Sequence, residues 1–345
     1  MNIVVLAGGI STERDVSLTS GRNVVNALRK KGNNAILLDL FLGYPADDWN
    51  DIFNKDAEEI STASTIGLVD PSIDDIKKAR ALDSNILFGE NVLNICKMAD
   101  IVFLALHGED GENGKVQATL DLNGIKYTGS GCLASALAMS KYYSKQIMQA
   151  NGIKNAEFIV LKDGKNEKPA FGVPCVIKPS SGGSSVGVSI VMSDDEYDEA
   201  VKTAFKYENE VVVEQYIKGR EFSVGVLGGK VLPPIEIIPK EGFYDYANKY
   251  QPGMTIEICP AELTEDETKT VQAASKAVFD ALGLEVYGRS DFILNEADGE
   301  FYCLEANSLP GLTQMSLLPQ EAKAIGIDYE DLCMKIIELS LEKYK

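Results

Sequence analysis

The segment 286–311, VYGRSDFILNEADGEFYCLEANSLPG, constrains this chain most, because it aims an arginine, two carboxylates and an amide at one small volume. Two β-rich runs flank Asn295-Glu296-Ala297-Asp298-Gly299, whose Asp-Gly step favours a tight reversal, and both runs alternate along their length. The pattern predicts an antiparallel hairpin. Arg289 and Asp291 stand two apart on the first strand and Glu305 and Asn307 two apart on the second, so each pair shares a face. If the turn pairs odd positions with odd ones, all four groups point the same way. Carboxylates that close repel unless a cation lies between them. Oxygen ligands from Asp, Glu and Asn suit Mg²⁺, which takes one or two carboxylates and leaves its other positions to water and substrate phosphates. A solvated sheet face carrying paired surface charges fits the same local pattern.

The 345 residues imply roughly two to three compact units. A net charge of −19, with no long basic run, argues against nucleic acid and anionic membranes as partners, so any anionic ligand must be held by a few local cations. Cys96, Cys132, Cys175, Cys259, Cys303 and Cys333 are scattered singly with no Cys-x-x-Cys pair, and read as free thiols in a reducing compartment. The start MNIVVLAGG has neither a basic leader nor a long apolar core, and no segment approaches the length of a membrane span. The expected location is the cytoplasm.

Residues 3–6 form an apolar strand that runs into Gly8-Gly9, and a helix should follow, capped by Asp15 or Ser17 and stopped at Gly32. Strands at 35–40 and 101–106 complete an alternating α/β pattern typical of a parallel sheet, while 41–98 is polar, turn-rich and reads as an elaboration. A helix-like run follows at 133–150 and opens a new unit. Strands at 174–180 and 186–192 enclose a glycine-serine loop, 194–207 is helix-like, and 211–217, 221–227 and 231–238 read as a closely spaced antiparallel sheet of α+β type. A long loop at 239–253, a helix at 266–282, the hairpin and a last helix at 329–344 complete the chain. No internal repeat is visible.

Four further groups carry candidate chemistry. The loop 180–187, Ser-Ser-Gly-Gly-Ser-Ser-Val-Gly, directly follows Lys178 within the strand run and could cradle phosphate with backbone N–H groups and serine hydroxyls; a plain flexible hairpin is the alternative. It is no Walker loop, because the required lysine spacing and helix are missing. Gly129-Ser130-Gly131-Cys132-Leu133-Ala134 fits the dinucleotide pattern, but its only acidic partner at a suitable distance, Glu157, ends no clear second strand. His107, the only histidine, ends a parallel strand where ligand-facing residues belong, although a lone histidine is often structural. Glu13 could grip an ammonium group or simply start a helix. A zinc or serine hydrolase lacks its motifs here.

Taken together, GGISTERDVS (8–17), LALHGEDGENG (104–114), YTGSG (127–131) with ASALAMSK (134–141), VIKPSSGGSSVG (176–187), FYDYANKY (243–250), GRSDF (288–292) and LEANSLPGLTQMSL (304–317) resemble the D-alanine:D-alanine ligase family of ATP-grasp enzymes, in order and over nearly the whole chain. The resemblance implies an ATP-grasp fold in three units: an N-terminal Rossmann-like domain at 1–138, a central ATP-grasp subdomain at 139–218 and a C-terminal one at 219–345. It implies a MgATP-driven ligation of two D-alanines through an acyl phosphate for peptidoglycan precursors, in a homodimer. By similarity Lys141 and Lys178 meet the nucleotide phosphates, Glu214 the adenine amino group and Glu221 the ribose, with Ile217 in the same nucleotide site. Asp291, Glu305 and Asn307 match the ligands of two Mg²⁺ ions, which Mn²⁺ can replace, and Arg289 the group that holds a tetrahedral oxyanion. Glu13 matches the holder of the first D-alanine's ammonium, with Ser184 and Tyr250 as its partners and His107 beside the same subsite. Lys249 falls in a loop that folds over the phosphates, and Gly311, Ser316 and Leu317 match the second subsite.

Two positions depart from the family pattern. Gln215 stands where lysine is common, and His107 is followed by Gly-Glu-Asp-Gly rather than the usual variants. D-serine and D-lactate ligases share nearly all of these motifs; Tyr250 favours a dipeptide-forming member over a depsipeptide-forming one.

Overall fold

The computed structural model describes residues 1–54, 73–80, 86–183, 186–240 and 254–345. Strand β1 (Asn2–Ala7) is apolar almost throughout because both its faces are covered, as befits the centre of a parallel sheet. It lies between β2 (Asn34–Asp39) and β3 (Ile101–Leu104), both parallel to it. The helix Arg14–Lys30 crosses from β1 to β2 and buries Val16, Val24, Val25 and Leu28. Its cap differs from expectation: Glu13 is the N-cap residue, and Ser17 lies inside the helix. The Ser17 hydroxyl instead accepts from the Gly8 N–H at 2.8 Å and donates to the Ala105 carbonyl at 2.7 Å, tying the end of β1 to the chain just past β3. In the order β2-β1-β3 the crevice outside the carboxyl ends of β1 and β3 is the place where an open parallel sheet receives ligands.

The final helix, Tyr329–Glu342, returns to this sheet. Leu332, Cys333, Ile336 and Ile337 join its apolar core, and the Tyr344 hydroxyl donates to the Tyr127 carbonyl at 3.2 Å. The Gly-x-Gly-x-x-Ala run at 129–134 belongs to the same joint. The Gly131 N–H donates to Glu285 Oε2 at 3.0 Å and the Glu285 N–H to the Ser130 hydroxyl at 3.0 Å, so the donors a dinucleotide would need already hold a neighbouring segment.

A second sheet is antiparallel, with β4 (Phe158–Lys162), β5 (Cys175–Pro179), β6 (Ser189–Val191) and β7 (Glu210–Gln215) in the order β4-β7-β5-β6. The helix Asp194–Ala204 backs it through Tyr197, Ala200, Val201 and Ala204. The third sheet contains β8 (Gly219–Leu227), β9 (Lys230–Val231), β10 (Ile235–Pro239), β11 (Thr255–Ile258), β12 (Tyr287–Asn295) and β13 (Phe301–Asn307), in the order β11-β10-β8-β12-β13 with β9 on β8. Phe222, Val224, Val226, Phe292 and Cys303 pack on the helices Lys141–Ala150 and Glu265–Ala281, so the alternate residues of β8 and β12 face the other way.

Two further expectations need correction. The single helix over 133–150 is two, Cys132–Met139 and Lys141–Ala150, because Ser140 turns extended and its hydroxyl caps the second helix by accepting from the Tyr143 N–H at 3.3 Å. The antiparallel run over 211–238 does not make one sheet: β7 pairs with β4 and β5, whereas β8 pairs with β10 and β12. Alternation fixes a strand's faces but not its partner. Strand β11 and the helices Val92–Met98, Lys115–Leu122 and Leu317–Ala324 were not anticipated.

Candidate active site

The hairpin has the register its alternation demands. Arg289 pairs with Asn307 and Asp291 with Glu305, and the ladder then shifts at a bulge between Asp291 and Phe292. A bulge re-aims side chains locally, and here it lies at the charged end of the strand pair. The buried Asp291 carboxylate accepts from Arg289 Nε at 2.9 Å and Nη2 at 2.8 Å, from the Ser223 hydroxyl of β8 at 2.8 Å and from Asn307 Nδ2 at 3.1 Å. Burying an ionised carboxylate is costly, and these charge-assisted bonds offset that cost.

Facing the hairpin is the second sheet. A cleft of about 460 Å³ runs between the two and is lined by Lys141, Lys178, Glu214, Glu221, Asp291 and Glu305 among others, with Ile217 at the crossing between sheets. Lys141, in the first turn of its helix, donates to the Gly182 carbonyl at 2.7 Å and lies 3.7 Å from Glu305, so it bridges the glycine loop and the hairpin. Burial lowers its pKa against the pull of Glu305. Lys178 Nζ sits 2.5 Å from Glu214 Oε1, and Lys145 Nζ 2.6 Å from Oε2. Burial opposes ionisation of Glu214, but the two ammoniums outweigh it and bring the carboxyl down to about 2. Burial likewise works against charge on Lys178, and Glu214 reverses the sign, so its pKa ends above the ordinary value.

At the crevice of the parallel sheet lie Glu13 and His107, both buried. His107 Nε2 is 3.2 Å from the Ser20 hydroxyl, and its carbonyl accepts from the Ser11 hydroxyl at 2.8 Å. Burial pushes its pKa below the ordinary value although Glu13 pulls the other way, so the ring is neutral near pH 7. The glycine loop reaches this crevice: a Cβ on Gly183 would lie 2.7 Å from Glu13 Oε2, so only glycine fits there without displacing the carboxylate. Glu112, whose Oε2 accepts from the Gly108 N–H at 2.8 Å, is pushed up to about 8 by burial and by Glu13.

The remaining expected residues cluster at the start of the helix Leu317–Ala324. Ser316 is its N-cap residue, and its hydroxyl accepts from the Thr313 N–H at 3.0 Å. A Cβ on Gly311 would fall 2.9 Å from the Ser316 hydroxyl, which ties that glycine to the serine, while Leu317 packs with Ile235 and Ile237. Ser184, Lys249 and Tyr250 lie outside the described residues. Lys145 and Glu112 escaped the sequence reading. Lys145 stands one helical turn after Lys141 on the buried face of its helix, and a lysine in that stripe was the available signal. Arg220 and Glu236, which line the cleft and pair through two bonds of 2.7 Å, carried no local signal.

Among the described residues, no three His, Cys, Asp or Glu side chains already converge on a metal-sized point, and Asp291 is engaged by Arg289. The donor set still fits a hard cation. Asp291 and Glu305 are direct cross-strand neighbours with Asn307 beside them, and such a set suits an ion whose other positions are filled by phosphate oxygens.

Residues 2–130 match the family model described as D-ala D-ala ligase N-terminus, and residues 147–338 that described as D-ala D-ala ligase C-terminus. The chain is 51% identical over 343 residues to a D-alanine–D-alanine ligase of Pediococcus pentosaceus, covering 98% of this chain and 97% of that one. It is 46% identical to that of Lacticaseibacillus casei over 353 residues, covering 100% of this chain and 97% of the relative. A crystal structure of the Bacillus anthracis D-alanine–D-alanine ligase complexed with ATP superposes with a TM-score of 0.74 at 34% identity, covering 99% of this chain and 98% of that one. Its fold is that of the ATP-grasp enzymes. Matched at both ends and across nearly all of its length, the chain belongs to the D-alanine–D-alanine ligase family.

Proposed function

We propose that the protein joins two D-alanines into D-alanyl-D-alanine at the expense of MgATP, for peptidoglycan precursors in the cytoplasm, and works as a homodimer of three-unit chains divided near residues 138 and 218. The observation that carries this reading is the cleft that sets the carboxylates of the β12–β13 hairpin against Lys178 of the facing sheet, with Lys141 of the helix Lys141–Ala150 also in its lining. In this reading Lys141 and Lys178 hold the nucleotide phosphates, and Glu214, Ile217 and Glu221 surround the adenosine. Asp291, Glu305 and Asn307 would hold Mg²⁺, which neutralises the charge between the transferring phosphates when bound.

The residues then divide the chemistry. Glu13, with Ser184 and Tyr250, grips the ammonium of the first D-alanine beside His107, whose neutral ring donates or accepts a hydrogen bond without adding charge. An oxygen of that D-alanine's carboxylate attacks the γ-phosphorus, and the bond to the leaving ADP breaks. Gly311, Ser316 and Leu317 receive the second D-alanine, whose amine attacks the acyl carbon; phosphate leaves with one former carboxylate oxygen and the amine loses a proton. Arg289 stabilises the oxyanion that forms at that carbon, a task suited to a preorganised donor in a dry site. Lys249 closes over the phosphates, and the segment around it excludes water from the acyl phosphate.

The reading is tested by phosphate release from MgATP with D-alanine alone, with D-alanine plus D-serine or D-lactate, and with L-alanine, each product being identified by mass. Release with D-alanine alone, giving the dipeptide, is expected. Preference for the D-serine or D-lactate mixture would transfer the assignment to that ligase, and silence in all four would refute it.

A further inference from the structure

The helix Lys141–Ala150 carries, one turn after Lys141, a lysine to which the function described above gives no role. Lys145 has 0% of its side chain exposed, and its ammonium lies 2.6 Å from Glu214 Oε2, while Lys178 holds Oε1 of the same carboxylate at 2.5 Å. Lys178 and Glu214 line the cleft, but Lys145 does not. Its ammonium lies 5.8 Å from the centre of the Phe158 ring and forms no part of the cleft lining. Its approach to Glu214 is an ion pair without hydrogen-bond alignment, and no other described group accepts a bond from it.

Two buried ammoniums therefore share one buried carboxylate. Were Lys178 the only cation on Glu214, turning it toward an incoming phosphate would strip a buried carboxylate of its counter-ion, which is strongly unfavourable. With Lys145 fixed behind it, Glu214 stays neutralised whether Lys178 faces it or faces the ligand. The surplus positive charge of the cluster is then free to meet an anion. We infer that Lys145 is a positioning residue for nucleotide binding: as the standing counter-ion of Glu214, it releases Lys178 to pair with the phosphates of a nucleoside triphosphate. The inference rests on the phosphate-binding reading of Lys178.

The test compares affinity for a nucleotide with affinity for its phosphate-free part, by calorimetry on the full-length protein. MgATP and adenosine are titrated into wild type, Lys145→Met and the double variant Lys145→Met/Glu214→Gln. In the single variant Lys178 is captured by Glu214, so MgATP binding should weaken by about tenfold or more while adenosine changes by less than about twofold. In the double variant the carboxylate and its counter-ion leave together, and the MgATP-to-adenosine affinity ratio should return to within about threefold of wild type. Taking this ratio cancels any loss of an adenine contact by Glu214 itself.

Equal weakening of adenosine and MgATP in Lys145→Met would show a merely structural lysine and overturn the inference. An unchanged ratio in the single variant, or a ratio still depressed in the double, would overturn it as well. If Lys145→Met does not fold, the double variant decides alone, since a ratio about tenfold below wild type would contradict the counter-ion role. Failure of the wild type to bind MgATP would remove the proposed function, and this inference with it.

Discussion

The two walls of the cleft bury charge in opposite senses. On the hairpin wall two carboxylates, Asp291 and Glu305, stand beside one guanidinium, with Arg289 turned onto Asp291. On the facing wall Lys178 pairs with the single carboxylate of Glu214, which Lys145, outside the cleft lining, holds by its other oxygen. The hairpin group counts one more carboxylate than guanidinium and the Glu214 cluster one more ammonium than carboxylate, and Lys141 lies 3.7 Å from Glu305. In the proposed function a metal ion and a polyphosphate together would complete both. The same contrast governs individual carboxyls: Glu214, pressed between two lysines, is held near 2, whereas Glu112, buried near Glu13 and forming no ion pair among the described residues, rises to about 8.

The largest break in this comparison should come from Glu305→Gln, which removes one of the two hairpin carboxylates while keeping its shape. Turnover should fall by roughly a thousandfold with the fold intact by circular dichroism. Mg-dependent activity near the wild-type level would end the metal assignment. Arg289→Ala should come next, raising the barrier by about 2.7–4 kcal/mol in kcat with a smaller change in the KM for ATP. A change confined to that KM would place Arg289 in nucleotide binding and not in oxyanion stabilisation.

A smaller effect separates the two kinds of buried carboxyl. Glu112 keeps its proton in the folded protein up to about 8, whereas the unfolded chain releases it near the ordinary 4.5. The contribution of Glu112 to stability therefore falls as pH rises across that window and stops falling above it. Glu112→Gln should flatten the decline by on the order of 1–3 kcal/mol between pH 5 and 8, read as a difference in Tm from wild type. Parallel curves for the two proteins would mean that Glu112 is ionised throughout. Glu214 has the opposite sign, adding stability above the unfolded value that is lost as pH falls toward 2. The smallest effect is in selectivity: Tyr250→Phe should shift the product mixture toward the D-lactate ester at low pH, and an unaltered ratio of dipeptide to ester would remove Tyr250 from the specificity network.

Much of the hairpin was legible because a strand's period of two fixes faces from sequence alone, so Arg289, Asp291, Glu305 and Asn307 were aligned before any contact was known. The parallel strands and the helix Glu265–Ala281 were legible for similar reasons of apolar periodicity. What failed was information that lives between elements. Nothing local in 211–227 says that β7 and β8 part into different sheets, and a single serine was enough to split the helix at 140. The role expected of Glu214 rested on a resemblance alone, whereas Lys178 was already a phosphate candidate through the glycine-serine loop beside it. Lys145 had neither source, because its meaning depends on a carboxylate far along the chain that only the fold brings within 2.6 Å.

The most direct test of the two-wall account follows an oxygen. D-Alanine labelled with ¹⁸O in its carboxylate is turned over with MgATP, and the released phosphate is analysed by mass. If the cleft transfers the γ-phosphoryl group to a carboxylate before the amine attacks, each phosphate formed with dipeptide carries one labelled oxygen. Unlabelled phosphate, released alongside dipeptide or without it, would contradict the account.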